Sequence, residues 1–222
     1  MSQKPIIGPS VLSADFLHYG EALAAAEAGG ADYIHFDVMD GAFVPNISIG
    51  FPVLEATRRG TTLPIDCHLM IRNPDHWAPE FAAKGAAQVT FQAEATDHAH
   101  RVITDINAHG AGAGIAINPA TPLVSVEEML PFLANLLVLT INPGFGGQEM
   151  IPEMREKIRR ARAMIDSINP SCRLQVDGGV DRETIRSLWL AGADSFVAGS
   201  AIYNDQATVE GNIRALREQL AG

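Results

Sequence analysis

Cysteine is nearly absent from this 222-residue chain: Cys67 and Cys172 are the only two, and they are not in a Cys-x-x-Cys spacing. No disulfide framework is implied. Cys67 directly precedes His68, so within a strand the two point to opposite faces and cannot serve one metal ion. Cys67 is expected to pack outward as a small apolar residue. Lysine is also scarce, with only Lys4, Lys84 and Lys157 present. None falls at the end of a predicted strand, which argues against Schiff-base chemistry. Basic residues number 16 against 26 acidic ones, for a net charge of -10. That balance disfavours nucleic acid and anionic membrane surfaces as partners. The chain lacks any run of about 18 or more apolar residues, and MSQKPIIGPSVLSAD has no basic segment followed by an apolar core. The expectation is a cytoplasmic protein with no membrane partner. With no Ser/Gly/Pro tract, charge run or low-complexity segment, residues 1–222 are expected to form a single domain.

What the chain does contain is a repeated joint. GGADYIHFD from Gly29, KGAAQVTF from Lys84, HGAGAGIAI from His109 and AGADSFVAG from Ala191 each follow a helix-patterned stretch with a Gly-Ala step and a short apolar run. The Gly ends a helix and the strand starts at once. The helical stretches are Phe16 to Ala28, His76 to Ala83, Ala95 to Ala108 and Ile185 to Leu190. Strands are expected at Ile6 to Ser10, Tyr33 to Val38, Ile65 to Met70, Gln88 to Phe91, Gly114 to Asn118, Leu136 to Ile141, Arg173 to Val176 and Ser195 to Val197. Their near-continuous apolar character indicates strands covered on both faces. Eight strand-helix units predict an α/β fold of the (β/α)8 TIM-barrel type. The rival, an open doubly wound sheet, lacks its G-x-G-x-x-G after the first strand.

Four polar residues interrupt the ends of these runs: His35 and Asp37 in YIHFDVMDG, His68 in PIDCHLM and Asp177 in LQVDGG. His35 and Asp37 are two apart and project to one side of the sheet. A buried carboxylate is rare without a partner, and here two occur with two imidazoles in apolar segments. Such a set suits one divalent ion: zinc, iron, manganese or cobalt. In a (β/α)8 barrel it falls at the strand C-termini, where catalytic groups reside. Gln175, in the same run as Asp177, is expected to point outward. His18, His76, His98, His100 and His109 lie on or beside helices and are read as solvated; Asp40 with Gly41 reads as a turn.

Three glycine-rich loops follow the last three strands: NPGFGGQ (142–148), DGG (177–179) and GSA (199–201). Bare backbone N–H groups there can cradle a phosphate without Lys or Arg. NPGFGGQ also has the composition of a lid. Two carboxylates facing a metal-held, phosphate-anchored substrate suit proton removal beside a carbonyl and redelivery to the other face through an enediolate, which is epimerisation. A metal-free decarboxylase of a related barrel would want Asp-x-Lys at Asp37, but the third residue here is Met39.

PSVLSADF (9–16), HFDVMDGAFVPNISIG (35–50), DCHLMIRNP (66–74), NPATP (118–122), INPGFGGQ, VDGGV and VAGSAI together resemble the ribulose-phosphate 3-epimerases along essentially the whole chain. The resemblance implies interconversion of D-ribulose 5-phosphate and D-xylulose 5-phosphate, in the pentose phosphate pathway or the Calvin cycle, with one catalytic divalent metal, zinc or iron. It implies His35, Asp37, His68 and Asp177 as metal ligands, Asp37 and Asp177 as the acid/base pair, and Ser10 and His68 as substrate contacts. Met39 and Met70 would surround the intermediate. Gly144, Phe145, Gly146, Gly147, Gly178, Gly179, Gly199 and Ser200 would close around the sugar phosphate. It further implies a homo-oligomer, either dimer or hexamer. Two positions depart from the family: Gln92 where His is frequent, and Leu139 where Met is frequent. Gln92 hydrogen-bonds but cannot ionise, so the support that the metal ligands receive from behind or the pH response is expected to differ. A related ketose phosphate such as D-allulose 6-phosphate is the neighbouring alternative. A non-catalytic phosphosugar-binding barrel is disfavoured because both carboxylates are retained.

Overall fold

A computed structural model describes residues 3–221. Eight parallel strands form one sheet: β1 (Ile6–Pro9), β2 (Ile34–Met39), β3 (Ile65–Met70), β4 (Gln88–Gln92), β5 (Gly112–Ile117), β6 (Asn135–Leu139), β7 (Arg173–Asp177) and β8 (Ser195–Ala198). The hydrogen-bonded order runs β1-β8-β7-β6-β5-β4-β3-β2. A parallel bridge between Ser10 and His35 joins the two ends of that order into a barrel. The closure is reinforced where Ile7 N donates to Asp32 Oδ2 and Asp32 N donates to Ile7 O.

Outside the strands lie α1 (Tyr19–Ala28), α2 (Phe51–Gly60), α3 (Pro74–Ala83), α4 (Ala99–Ala108), α5 (Met154–Ile168), α6 (Ile185–Leu190) and α7 (Val209–Leu220). A 3-10 segment, Leu123–Phe132, takes the place of a helix between β5 and β6. The expected helix from Phe16 is a 3-10 turn, Phe16–His18, followed by α1. The one expected from Ala95 starts only at Ala99, because Thr96 Oγ1 accepts from His98 N and turns the chain first. Strand ends shift by one or two residues.

The repeated joint has a single geometry. Gly30, Gly85, Gly110 and Gly192 all take left-handed φ values between 80° and 113°. After three of them the Ala N–H reaches back to the last turn: Ala31 to Ala26, Ala86 to Phe81 and Ala193 to Leu188. This is the Schellman ending, in which glycine occupies the left-handed position at least cost.

Alternation along each strand divides the interior in two. Ile34, Phe36, Val38, Ile65, Cys67, Leu69, Val89 and Phe91 face the helices in the principal apolar core, Cys67 among them as expected. The other parity lines the barrel axis and is largely polar: His35, Asp37, Asp66, His68, Thr90, Gln92, Asn135, Gln175 and Ser195 are all buried. Gln175 corrects its expected orientation. It stands two residues from Asp177, so strand parity sends both inward, and it is 1% exposed.

Candidate active site

Register places the four residues together, although only Asp177 ends its strand; His35, Asp37 and His68 lie within β2 and β3 rather than at their ends as expected. Asp37 pairs with His68 across β2 and β3, and His35 pairs with Asp66. Asp177 ends β7 beside Leu139 and Val197. One ligand atom from each of His35, Asp37, His68 and Asp177 lies within 4.8 Å of all the others, so the cluster can hold a metal ion. Asp37 Oδ1 faces both His35 Nε2, at 3.2 Å, and His68 Nδ1, at 3.1 Å. Its second oxygen accepts from Ser10 Oγ at 2.6 Å.

The donor set fits a divalent cation on more than composition. Each imidazole has its far nitrogen engaged: His35 Nδ1 lies 2.9 Å from Asp66 Oδ2, and His68 Nε2 lies 3.1 Å from Gln92 Nε2. Such outer partners fix which nitrogen is left to ligate. Gln92 Oε1 is buried without a hydrogen-bond partner. Turning that amide over puts Oε1 against His68 Nε2, where it accepts an N–H and leaves Nδ1 unprotonated toward Asp37. The flip gives the oxygen a donor in the tautomer that leaves Nδ1 free for a cation, and moves the amide NH2 into the place without a partner.

Electrostatics separates the two carboxylates. Burial opposes ionisation of Asp37, but the adjacent His35 and His68 bring it well below the usual carboxylate range. Asp177 is raised to about 6, first by burial and then by the negative charge of Asp37. Burial also acts against a charged His35, yet Asp37 and Asp66 outweigh it and hold the imidazole well above its ordinary value. Asp66 is lowered despite its burial, chiefly by His35 and then by Gln175 and Gln88. Two like carboxylates pushed apart in this way are characteristic of acid/base sites.

Above the cluster opens a cleft of about 740 Å³. Asp37 and Asp177 reach it, as do Ser10, Met39, Met70 and Leu139. Gly144, Phe145, Gly146 and Gly147 line one side, and Gly178, Gly179, Gly199 and Ser200 line another. His35 and His68 are wholly buried beneath and do not line it. The DGG turn is held by Thr140 Oγ1, which donates to Asp177 O and Gly178 O. Gly179 has φ +61°, and a Cβ there would stand 2.4 Å from Met150 N. Only glycine fits the backbone at that point. The NPGFGGQ loop is tied to the β2–α2 connection by Asn46 Nδ2 donating to Gly144 O.

Other sequence expectations find their places. Asp40 caps its turn, accepting from Ala42 N, Phe43 N and Arg72 N. Lys157 is buried away from the cleft, its Nζ donating to Asn118 O, Pro119 O and Thr121 O. Sequence reasoning passed over Asp66, which touches His35, and Ser48, whose Oγ bridges Asp37 O and Met39 N. For Asp66 a signal existed: it stands two before His68 and so shares its face.

A parallel (β/α)8 barrel with a buried carboxylate-imidazole cluster able to hold a metal ion, opening to a cleft at one end of the barrel, is the architecture of an enzyme. Residues 6–203 match the model of the ribulose-phosphate 3 epimerase family. The chain is 49% identical to the ribulose-phosphate 3-epimerase of Mycobacterium tuberculosis over 217 residues, covering 97% of this chain and 93% of the relative. It is 47% identical to that of Escherichia coli K12, again over 217 residues, with 97% and 96% covered. The chain belongs to the ribulose-phosphate 3-epimerase family, whose members are isomerase-class enzymes. The barrel itself also resembles KGPDC from Streptococcus mutans, solved in complex with D-R5P. That likeness has a TM-score of 0.73 at 15% identity, over 99% of this chain and 98% of that one, and concerns the fold.

Proposed function

We propose that this enzyme inverts C3 of D-ribulose 5-phosphate to give D-xylulose 5-phosphate, with Asp37 and Asp177 as the proton-transferring pair. The observation that carries the reading is the convergence of both carboxylates on one cation-binding cluster at the floor of a cleft walled by glycine loops. His35, Asp37, His68 and Asp177 would hold the ion, zinc or iron by preference, with manganese or cobalt compatible with the same donors. When bound, the ion supplies positive charge that offsets the negative charge gathering on the substrate oxygens as C3 loses its proton.

The protein's own groups do the rest. One Asp removes the C3 proton and the other delivers one to the opposite face, exchanging roles with direction. Ser10 orients Asp37 through its 2.6 Å hydrogen bond and stands at the cleft wall, where it meets substrate. Backbone N–H groups of Gly178, Gly179, Gly199 and Ser200 receive the phosphate. Gly144 to Gly147 with Phe145 cover the sugar and keep water from the enediolate. Met39 and Met70 contribute polarisable walls that make no hydrogen bond to it. His68 acts from below as a ligand. We further propose one domain spanning 1–222, a homo-oligomer, dimer or hexamer, in keeping with exposed apolar side chains such as Leu17 and Leu190, and a cytoplasmic place of action in keeping with sugar-phosphate metabolism. Among the described residues no helix is long and apolar enough to cross a membrane.

The test is turnover of D-ribulose 5-phosphate in deuterium oxide by metal-loaded protein, with D-allulose 6-phosphate in parallel. Deuterium at C3 together with xylulose 5-phosphate is expected. Exchange with the hexulose alone would transfer the activity to that substrate. Silence with both, across zinc, iron, manganese and cobalt, would overturn the proposal.

A further inference from the structure

Beneath the metal cluster lies a carboxylate that the reaction itself does not use. Asp66 is on β3, in register with His35 of β2, and is 3% exposed. Its Oδ2 faces His35 Nδ1 at 2.9 Å and accepts from Gln175 Nε2 at 2.7 Å; its Oδ1 accepts from Gln88 Nε2 at 2.9 Å. Three groups from three other strands therefore meet one buried anion. Gln175 is locked in turn, accepting from Asn135 Nδ2 at 2.7 Å and reaching Tyr33 Oη at 2.9 Å. Tyr33 Oη also meets Ser195 Oγ at 2.9 Å. This floor crosses the barrel from β6 to β3 and fixes the carboxylate's position.

We propose that Asp66 is the positioning residue of the metal centre, holding His35 in the tautomer that carries its proton on Nδ1 and presents Nε2 to the ion. The inference rests on the reading that the cluster holds a divalent cation. A neutral imidazole with its N–H on a carboxylate is a stronger donor through the other nitrogen than one backed by a neutral amide. The two imidazoles are therefore unequal. His35, with Asp66 behind it, is the anchoring ligand, and His68, backed only by Gln92, is the weaker one. Both Gln88 and Gln175 serve this arrangement by filling the acceptor sites that His35 leaves open, so that the anion stays in the dry barrel interior.

The test is the metal affinity of the full-length protein, stripped with a chelator and titrated with zinc against a competing indicator. Asp66→Asn keeps the side chain's size and an oxygen for His35, removes the charge, and turns an NH2 toward Gln88, whose amide can rotate to accept it. Its affinity is expected to fall about 10–100-fold. Asp194→Asn serves as the comparison, since Asp194 is an equally buried carboxylate held by Arg162 and remote from the cluster. It is expected to leave zinc affinity unchanged. An independent measurement needs no variant: nitrogen NMR of the zinc-loaded wild type should show His35 protonated at Nδ1. Equal affinity in Asp66→Asn and wild type, an equal fall in Asp194→Asn, or His35 protonated at Nε2 would each overturn the inference and leave the metal reading standing. A wild-type protein that binds none of zinc, iron, manganese or cobalt would overturn both.

Discussion

Replacing Asp177 by Asn should stabilise the metal-free protein while abolishing its chemistry. The pKa of Asp177 is about 6 in the folded chain against an ordinary 3.8, because burial and the adjacent Asp37 both oppose its charge. Between those two values the folded state retains a proton that the unfolded chain has released, so stability falls as pH rises through that window. Above it the whole penalty is present. The difference corresponds to about 3 kcal/mol, or about 2–3 kcal/mol once its opening onto the cleft is allowed for. Asn carries no charge at any pH, so Asp177→Asn should recover that amount near neutral pH and almost none below about pH 4. For a chain of this size the gain is on the order of 5–10 °C in Tm. The assay is thermal unfolding of chelator-treated wild type and variant at about pH 7.5 and about pH 4.5, read by circular dichroism. The variant melting no higher than wild type near neutrality would refute the argument. So would a gain of equal size at both pH values, which would point to packing rather than charge. Saturating zinc should reverse the order, since only wild type retains all four ligands and cations bound to the native state alone stabilise it.

Ser10→Ala removes the hydrogen bond that orients Asp37; a bond to a charged group is worth about 1.5–3 kcal/mol, so kcat/KM should fall about 10–100-fold. An unchanged kcat/KM would remove Ser10 from the site. Gly179→Ala forces a Cβ to 2.4 Å from Met150 N at a left-handed φ; KM for the sugar phosphate should rise and urea unfolding should show a loss of about 1–3 kcal/mol. Lys157→Met leaves three loop carbonyls without their donor. It should cost about 2–4 kcal/mol in urea unfolding while kcat per folded molecule stays at the wild-type value, a fall in kcat being the contrary result. Leu139→Met nearly conserves volume and should change stability by less than about 1.5 kcal/mol; a marked change in relative activity with zinc and iron would show that the sulfur matters for the ion.

How much could be read in advance is clear from particular residues. The Gly-Ala joints announced strand after strand because a left-handed helix ending is a local property, set within a few residues. The cluster of His35, Asp37, His68 and Asp177 was legible because polar groups are conspicuous in apolar strands and because parallel βα units bring successive strands into one register. Gln175 faces inward with Asp177 because the two are two apart in β7, where strand parity outweighs the polar residue's preference for solvent. Asp66 follows the same parity, two residues before His68 and on its face; what DCHLM does not show is that its partner across the strands is His35, which only the register gives.

Sequence alone therefore determined the architecture, through periodicity and turn chemistry, and it pointed to the candidate His/Asp cluster by residue type and to the family by the resemblance of whole motifs. Tertiary structure alone decided which groups stand behind the ligands, how Asp37 and Asp177 come to differ in acidity, and that a polar floor joins Asp66, Gln175 and Tyr33 across the barrel. Those properties depend on distances and burial between strands far apart in the chain, and come into being only when the barrel closes.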